Sequence, residues 1–216
     1  MKVIVFDTET TGLPKSRYAH IQHTWLFPYV VQLSWLVYDT GKNKIEKVED
    51  HIIKLPEHMT IPEESIKIHG ITNEKMLQEG KPMSFVLKRF LRDLSNSKCI
   101  IAHNIEFDKK ILDVECFREQ YKLLSNYRKK EFCTMKNSIH TCKILKKNHE
   151  KFKCKFKFPK LIELHEKLFE SKPNNLHNAL IDILVCFRCF YKLKFEVDIL
   201  NVNNKFRRNY KKYCGL

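Results

Sequence analysis

The apolar run Val3-Ile4-Val5-Phe6 ends in Asp7-Thr8-Glu9, and this junction limits the folds open to the chain. Four consecutive apolar residues read as a strand buried on both faces. Residues i and i+2 of a strand share a face, so Asp7 and Glu9 project side by side from its end. Two like charges held there repel each other unless something neutralises them. A divalent cation does so, and carboxylate oxygens suit Mg²⁺ or Mn²⁺. A solvated turn is the plainer reading of such a pair, and only other residues can decide between the two.

At 216 residues, 43% apolar and 30% charged, the chain fits one globular domain with a full core. No apolar run is long enough to cross a bilayer. Met1-Lys2-Val3 leads straight into a strand without the regions of a signal peptide, so an intracellular, cytoplasmic or nuclear location is expected. The formal net charge of +15 points to a polyanionic partner, nucleic acid being the commonest. An anionic membrane surface, or simply a lysine-rich composition, would give the same charge. The eight cysteines read as free thiols of a reducing compartment. Cys186 and Cys189 form a C-x-x-C pair inside an apolar helical pattern, which favours core packing. Cys142, His149 and Cys154 lack a compact ligand spacing.

The first strand is expected over Lys2 to Thr8. Val30 to Asp39 alternates as a second strand, Thr40 to Asn43 is a turn, and Ile45 to Leu55 completes a meander. A short helix is expected over Glu63 to His69, and an amphipathic one after an N-cap at Ser84. Cys99 to His103 reads as a short buried strand, Glu106 to about Leu124 as a helix, and Phe132 to Met135 as strand-like. Pro159 suits the first position of a helix over Lys160 to Phe169. Asn174 or Asn175 is placed to cap a last long helix, His177 to Phe195. The expected organisation is a domain over 1–198 followed by a basic tail, 199–216. A meander followed by alternating helices and strands makes a mixed sheet with helices packed on it.

Two further carboxylates fall at telling places. Asp108 sits where the strand ending at Ala102 passes into a helix. Asp182 lies in the first turns of the last helix, among apolar residues. An unpaired carboxylate there is costly to desolvate. The helix dipole offsets part of that cost, and a shared metal accounts for all four acids. His177, five residues before Asp182, is a candidate general base, or alternatively a hydrogen-bonding partner of the helix start.

Three segments resemble the motifs of the DEDDh, or DnaQ-like, 3′–5′ exonucleases. They are Phe6-Asp-Thr-Glu-Thr-Thr-Gly-Leu13, Ala102-His-Asn-Ile-Glu-Phe-Asp108 and His177-Asn-Ala-Leu-Ile-Asp182. His69-Gly-Ile-Thr72, Phe132 to Met135 and Pro159 to Leu164 resemble connecting segments of the family. Ile183 departs from the alanine that many relatives carry after the last aspartate, a change that touches packing.

The resemblance implies an α/β, RNase H-like fold with a mixed five-stranded sheet flanked by helices. It implies two Mg²⁺ or Mn²⁺ ions held by Asp7, Glu9, Asp108 and Asp182, with Asp7 bridging them. His177 would deprotonate the attacking water in a two-metal displacement, with the ions ~3.5–4 Å apart. The product would be a nucleoside 5′-monophosphate. Thr10 and Leu13 resemble positions that cradle and wedge the terminal nucleotide. His69, His103 and Asn104 sit where relatives line the substrate pocket. Each of these five has an equally good structural reading.

The wording Thr8-Glu9-Thr10 is closer to the epsilon-type proofreading exonucleases of bacterial DNA polymerase III than to oligoribonucleases. A DNA exonuclease of proofreading or repair type, acting on single-stranded 3′ ends, is therefore expected. A DNA polymerase or other replication protein is a possible partner. An exoribonuclease is the alternative, and a non-catalytic nucleic-acid-binding module a more distant one. The basic run Lys143 to Lys160, with Phe152, Phe156 and Phe158, reads as phosphate contacts with stacking platforms or as a solvated loop. The tail would contact backbone, dock a partner or be frayed.

Overall fold

Strand β1 spans Lys2–Thr10 and lies at the centre of the sheet, as a run apolar on both faces requires. The computed structural model describes every residue except 17, 148–149, 151–154, 175 and 216. On one side β1 pairs antiparallel with β2, Val30–Asp39, which pairs antiparallel with β3, Lys44–Ile52. On the other side it pairs parallel with β4, Cys99–Ala102, which pairs parallel with β5, Lys130–Cys133. The resulting mixed sheet has the order β3-β2-β1-β4-β5.

Between β3 and β4 lie α1, Glu63–His69; α2, Asn73–Glu79; and α3, Met83–Ser95. Helix α4, Ile105–Arg118, joins β4 to β5. Then come α5, Thr134–Asn137; α6, Ile139–Cys142; α7, Leu161–Phe169; and α8, Ala179–Phe195. Two more helices close the chain, α9 over Ile199–Val202 and α10 over Asn204–Cys214. No helix among the described residues is long and apolar enough to cross a membrane.

Alternation along β1 divides the interior. Ile4 and Phe6 join Leu33, Trp35, Phe90 and Ile111 in a core under α3 and α4. Val3 and Val5 join Leu36, Tyr38, Ile183 and Phe187 in a core under α8. Near the end of β1 the register shifts between Glu9 and Thr10, leaving Val31 as an extra residue on β2. Such a bulge bends the ladder locally, and Val31 packs in a third cluster with Leu55, Ile71 and Met76 under α1 and α2.

Several boundaries differ from those the sequence suggests. Ser84 is the second residue of α3 rather than its cap, because Pro82 takes the N-cap position. Pro159 precedes the N-cap Lys160 instead of occupying the first helical position. Helix α4 stops at Arg118, and Gln120 turns left-handed at φ 58°. The Asp113 carboxylate then accepts from the Leu124 and Ser125 amides, holding a single 3₁₀ turn. Helix α2 has no apolar stripe to announce it, but its Thr72 hydroxyl accepts from the Lys75 amide as an N-cap should. Helix α8 starts at Ala179, capped by Asn178, whose Oδ1 accepts from the Leu180 amide. The Asn174 amide instead donates to the Cys214 carbonyl, and Asn175 lies outside the described residues. Cys186 and Cys189 are buried in the core, and every described cysteine is a free thiol.

The chain's end is not frayed over 199–214. Helix α10 buries Phe206, Tyr210 and Cys214 against α8 and exposes Lys205, Arg208, Lys211 and Lys212. Asp198 holds Arg188 of α8 through both carboxylate oxygens, at 2.6–3.2 Å. His165 Nδ1 donates to the Ser171 carbonyl at 2.8 Å, so Nε2 is left as an acceptor. The Tyr210 hydroxyl and Arg188 both donate to that Nε2, at 2.8 and 3.1 Å. Phe206→Ala should therefore cost about 3–5 kcal/mol of stability, whereas Lys211→Ala stays within about 0.5 kcal/mol. Urea denaturation measures both, and a loss below about 1 kcal/mol for Phe206→Ala would show that α10 is peripheral to the core.

Candidate active site

Asp7 and Glu9 leave β1 on the face it presents to α8, because the odd-numbered residues of the strand all point there. Asp182 enters from the first turn of α8. One oxygen of each of the three carboxylates can be chosen so that all lie within 4.8 Å of one another. All three side chains are half-buried.

Gln32 brings these elements into register. It faces Glu9 across the β1–β2 ladder and is 2% exposed, so its amide has to be satisfied within the protein. Its Oε1 accepts from the Ala179 amide at 3.1 Å, and its Nε2 donates to Asp50 at 2.8 Å. The first turn of α8 is thereby pinned to the sheet directly beside Glu9. The His177 amide donates to Asp182 Oδ2 at 3.3 Å. Asp182 Oδ1 is buried and has no hydrogen-bond partner among the described residues. A buried carboxylate oxygen without a donor, facing two more carboxylates, fits a divalent cation, which satisfies oxygen ligands and cancels their charge together.

Asp108 approaches from the opposite face of the sheet, on α4, and is not one of the three clustered acids. Its Oδ1 accepts from the Thr8 amide at 3.1 Å and from the Thr8 hydroxyl at 2.8 Å. Thr8 points away from Asp7 and Glu9, so the strand end is gripped from both sides. Asp108 still acts on the cluster by its charge. Burial first, then the repulsion of Asp108, Asp182 and Glu9, holds Asp7 well above the usual carboxylate range. Burial, then Asp182 and Asp108, pushes Glu9 up to about 8. Burial raises Asp108 to about 7 against the opposing hydrogen bonds from Thr8. It raises Asp182 to about 7 against the His177 amide, with Asp108 adding to the rise.

The residues just ahead of the two acid-bearing helices are both left-handed. Asn104 has φ 68° and His177 φ 70°, a region that side chains other than glycine enter at a cost. Asn104 is the N-cap of α4 without using its side chain. The His177 side chain is exposed and lies outside α8, contrary to the expectation that it begins the helix. His103 is half-buried and engaged within the protein. Its Nε2 lies 3.1 Å from the Pro159 carbonyl, and its Nδ1 2.9 Å from the Thr134 hydroxyl. Burial lowers its pKa to about 4, so the neutral ring donates from Nε2, accepts at Nδ1, and has no nitrogen left for substrate.

His69 is buried and accepts from the Ile71 amide at 3.1 Å, and its Nε2 has no hydrogen-bond partner among the described residues. Burial lowers its pKa, and the Thr10 carbonyl partly offsets that from outside hydrogen-bonding geometry. The Thr10 hydroxyl donates to the Gly12 carbonyl at 2.6 Å, and Leu13 is 80% exposed. Of the basic run, residues 144–146 and 155–157 pair antiparallel about Leu145 and Phe156. Phe158 is exposed, Phe156 packs edge-on to His140, and Lys157 pairs with Glu163. Phe152, His149 and Cys154 lie outside the described residues.

Gln32, Thr8 and Asn178 were not foreseen as parts of the site. Only Gln32 carries a sequence signal, a polar residue inside the otherwise apolar stretch Val30 to Val37 that also holds Ser34.

The exonuclease family RNase_T matches residues 4–190. The DNA polymerase III subunit epsilon of Buchnera aphidicola (subsp. Acyrthosiphon pisum) is 28% identical over 214 residues, covering 98% of this chain and 81% of that protein. Among solved structures, E. coli exonuclease I bound to single-stranded DNA with zinc superposes with a TM-score of 0.66 at 16% identity, over 98% of this chain and 42% of the other. The same enzyme with a dT13 oligonucleotide gives 0.67 at 17% identity, over 88% and 41%. These likenesses bear out the expected RNase H-like exonuclease fold, and the chain spans about two-fifths of the length of those exonucleases.

The raised carboxylates set a pH dependence. Folded, they bind protons that the unfolded chain has released, so their contribution is complete below about pH 4 and is lost as pH rises through 7 to 8. In EDTA the melting temperature should fall across that window, and Mg²⁺ or Mn²⁺ should restore it by taking the protons' place. Thermal scans at several pH values, with and without the metal, check this. Asp182→Asn should flatten the slope and weaken the metal response, and a wild-type protein indifferent to both ions at pH 8 would count against a cation site.

Proposed function

This chain belongs to the exonuclease family RNase_T, and from that membership we propose that it removes nucleotides one at a time from the 3′ ends of single-stranded DNA. The observation that carries the reading is the meeting of Asp7, Glu9 and Asp182 around a buried, unpartnered carboxylate oxygen. These three acids, with Asp108 behind Thr8, are the residues that would hold two Mg²⁺ or Mn²⁺ ions. When bound, such ions neutralise the acids, polarise the phosphoryl oxygens and acidify a bound water.

The chain's own groups supply the rest. His177 lies next to the Asp182 carboxylate through its backbone and keeps its ring exposed, so it can accept the proton of the attacking water. The water oxygen bonds to phosphorus as the bond from phosphorus to the 3′ oxygen breaks. A nucleoside 5′-monophosphate leaves, and a proton completes the new 3′ hydroxyl of the shortened strand. Thr10, Leu13, His69 and Asn104 match the motif positions that the resemblance gives to the terminal nucleotide, and are assigned to it here. The exposed cations of α10, and the net charge of +15, suit the phosphates of the same strand.

DNA is favoured because the curated relative is a DNA polymerase III subunit and the superposed exonuclease I structures hold DNA. The same relative suggests a role in proofreading or repair beside a polymerase, which copurification would reveal.

Digestion of 5′-labelled single-stranded DNA, mismatched-end duplex and RNA of matched sequence tests the reading. The expected result is an EDTA-sensitive 3′–5′ ladder on single-stranded DNA. His177→Ala should lower kcat by about 10²–10⁴, and Asp7→Ala or Asp182→Ala should abolish cleavage while the fold persists. Faster hydrolysis of RNA would make the protein an exoribonuclease, and undiminished cleavage by either Asp variant would sink the mechanism.

A further inference from the structure

From Thr10 to Tyr38 the chain holds no acidic residue. The loop after β1 instead mixes Lys15, Arg17, His20 and His23 with Tyr18, Trp25, Phe27 and Tyr29. Basic residues interleaved with aromatic ones suit a single nucleic-acid strand, which offers phosphates and bases in alternation.

The loop is firmly built. Its two ends are joined by hydrogen bonds from the Thr11 amide to Tyr29 and from the Lys15 amide to Leu26, at 2.9 and 2.8 Å. Arg118 of α4 reaches under it and donates to the carbonyls of Thr24, Phe27 and Pro28 at 2.7–3.0 Å. Glu115 holds that guanidinium at 2.6 Å, and the Tyr29 ring covers it at 3.8 Å. On this fixed base the turn Thr24–Leu26 presents Trp25 at 68% exposure, with the His23 ring 5.1 Å behind it. Leu13 stands at 80% exposure. Trp25, Leu13, Lys15, Thr11, Pro28 and Met59 line a cavity of about 360 Å³. Thr11 is two residues beyond Glu9, so the wall of this cavity starts within about 7 Å of the carboxylate strand end.

Two large exposed apolar side chains, Trp25 and Leu13, gathered at one cavity on a rigid support suit a binding surface. We propose that Trp25, with Lys15, forms a further subsite for a base of the substrate strand beside the carboxylate cleft, the indole stacking on the base and Lys15 meeting an adjoining phosphate. The absence of acidic residues and the nearness of the cleft favour a nucleic-acid strand over a protein segment. The assignment rests on the nuclease reading, and the test separates the two.

The chain has two tryptophans, and the other, Trp35, is fully buried with its Nε1 bonded to Asp93 at 2.9 Å. Iodide quenching therefore reports on Trp25 alone. Titration of the full chain with oligothymidylate in EDTA should quench the exposed emission and protect it from iodide. In Mg²⁺, Trp25→Ala should raise KM for single-stranded DNA about 5- to 100-fold, the effect of one lost stack. Its kcat should stay within about twofold and its melting temperature should not change; Trp25→Phe should recover most of the binding. Equal quenching by polyglutamate would overturn the subsite in favour of general polyanion contact. Unquenched emission together with an unchanged KM would overturn it too, and assign the face to a protein partner. Quenching without any hydrolysis would defeat the nuclease reading and leave the subsite standing.

Discussion

The hydrogen bond from the Ala179 amide to Gln32 is the contact on which the site depends. It fixes the first turn of α8 to β2 opposite Glu9. It adds a directed polar tie to the apolar packing that seats α8, and so holds Asp182 close to Asp7 and Glu9. The bond is protected by burial on every side, and the second half of the Gln32 amide is held by Asp50. The apolar body of α8, packed on Val3, Val5 and Leu36, supplies the adhesion. The polar contact supplies the register.

The fold accommodates the repulsion within this site without removing it. Thr8 gives two donors to Asp108 and the His177 amide gives one to Asp182 Oδ2, whereas Asp182 Oδ1 receives none among the described residues. Asn104 and His177 add left-handed backbone just ahead of the acid-bearing helices. Unfavourable charge, an unpaired oxygen and unfavourable backbone angles thus converge at one end of the sheet. The stability of the two large cores tolerates them, and a bound cation would relieve the first two together.

Periodicity and motif wording made much of this legible in advance. Val30–Asp39 and Glu63–His69 have the bounds their patterns suggest, because alternation and flanking turn residues act locally. The acids at 7, 9 and 182 could be read as one site because strand spacing and an expensive position on an apolar helix are both local signals. Gln32 and Thr8 escaped because their roles depend on partners 147 and 100 residues away. The partners of His103 were hidden for the same reason: its motif neighbourhood left a substrate role and a structural one open, and Thr134 and Pro159, which meet its two ring nitrogens, are distant in sequence. The order of α10 was hidden as well. A segment rich in Lys, Arg and Asn looks like a solvated tail until Phe206, Tyr210 and Cys214 are seen on one face.

The charge distribution sets an acidic centre within a strongly basic protein. A net charge of +15 attracts a polyanion from a distance. Close to the end of β1, however, the acids repel the phosphate they would have to meet. Cations bound there would cancel that charge, serving the approach of a phosphate as well as the chemistry. The acid-free stretch from Thr10 to Tyr38 adjoins this centre. On the nuclease reading it receives the strand on a surface that needs no metal, and it delivers the 3′ end to one that does.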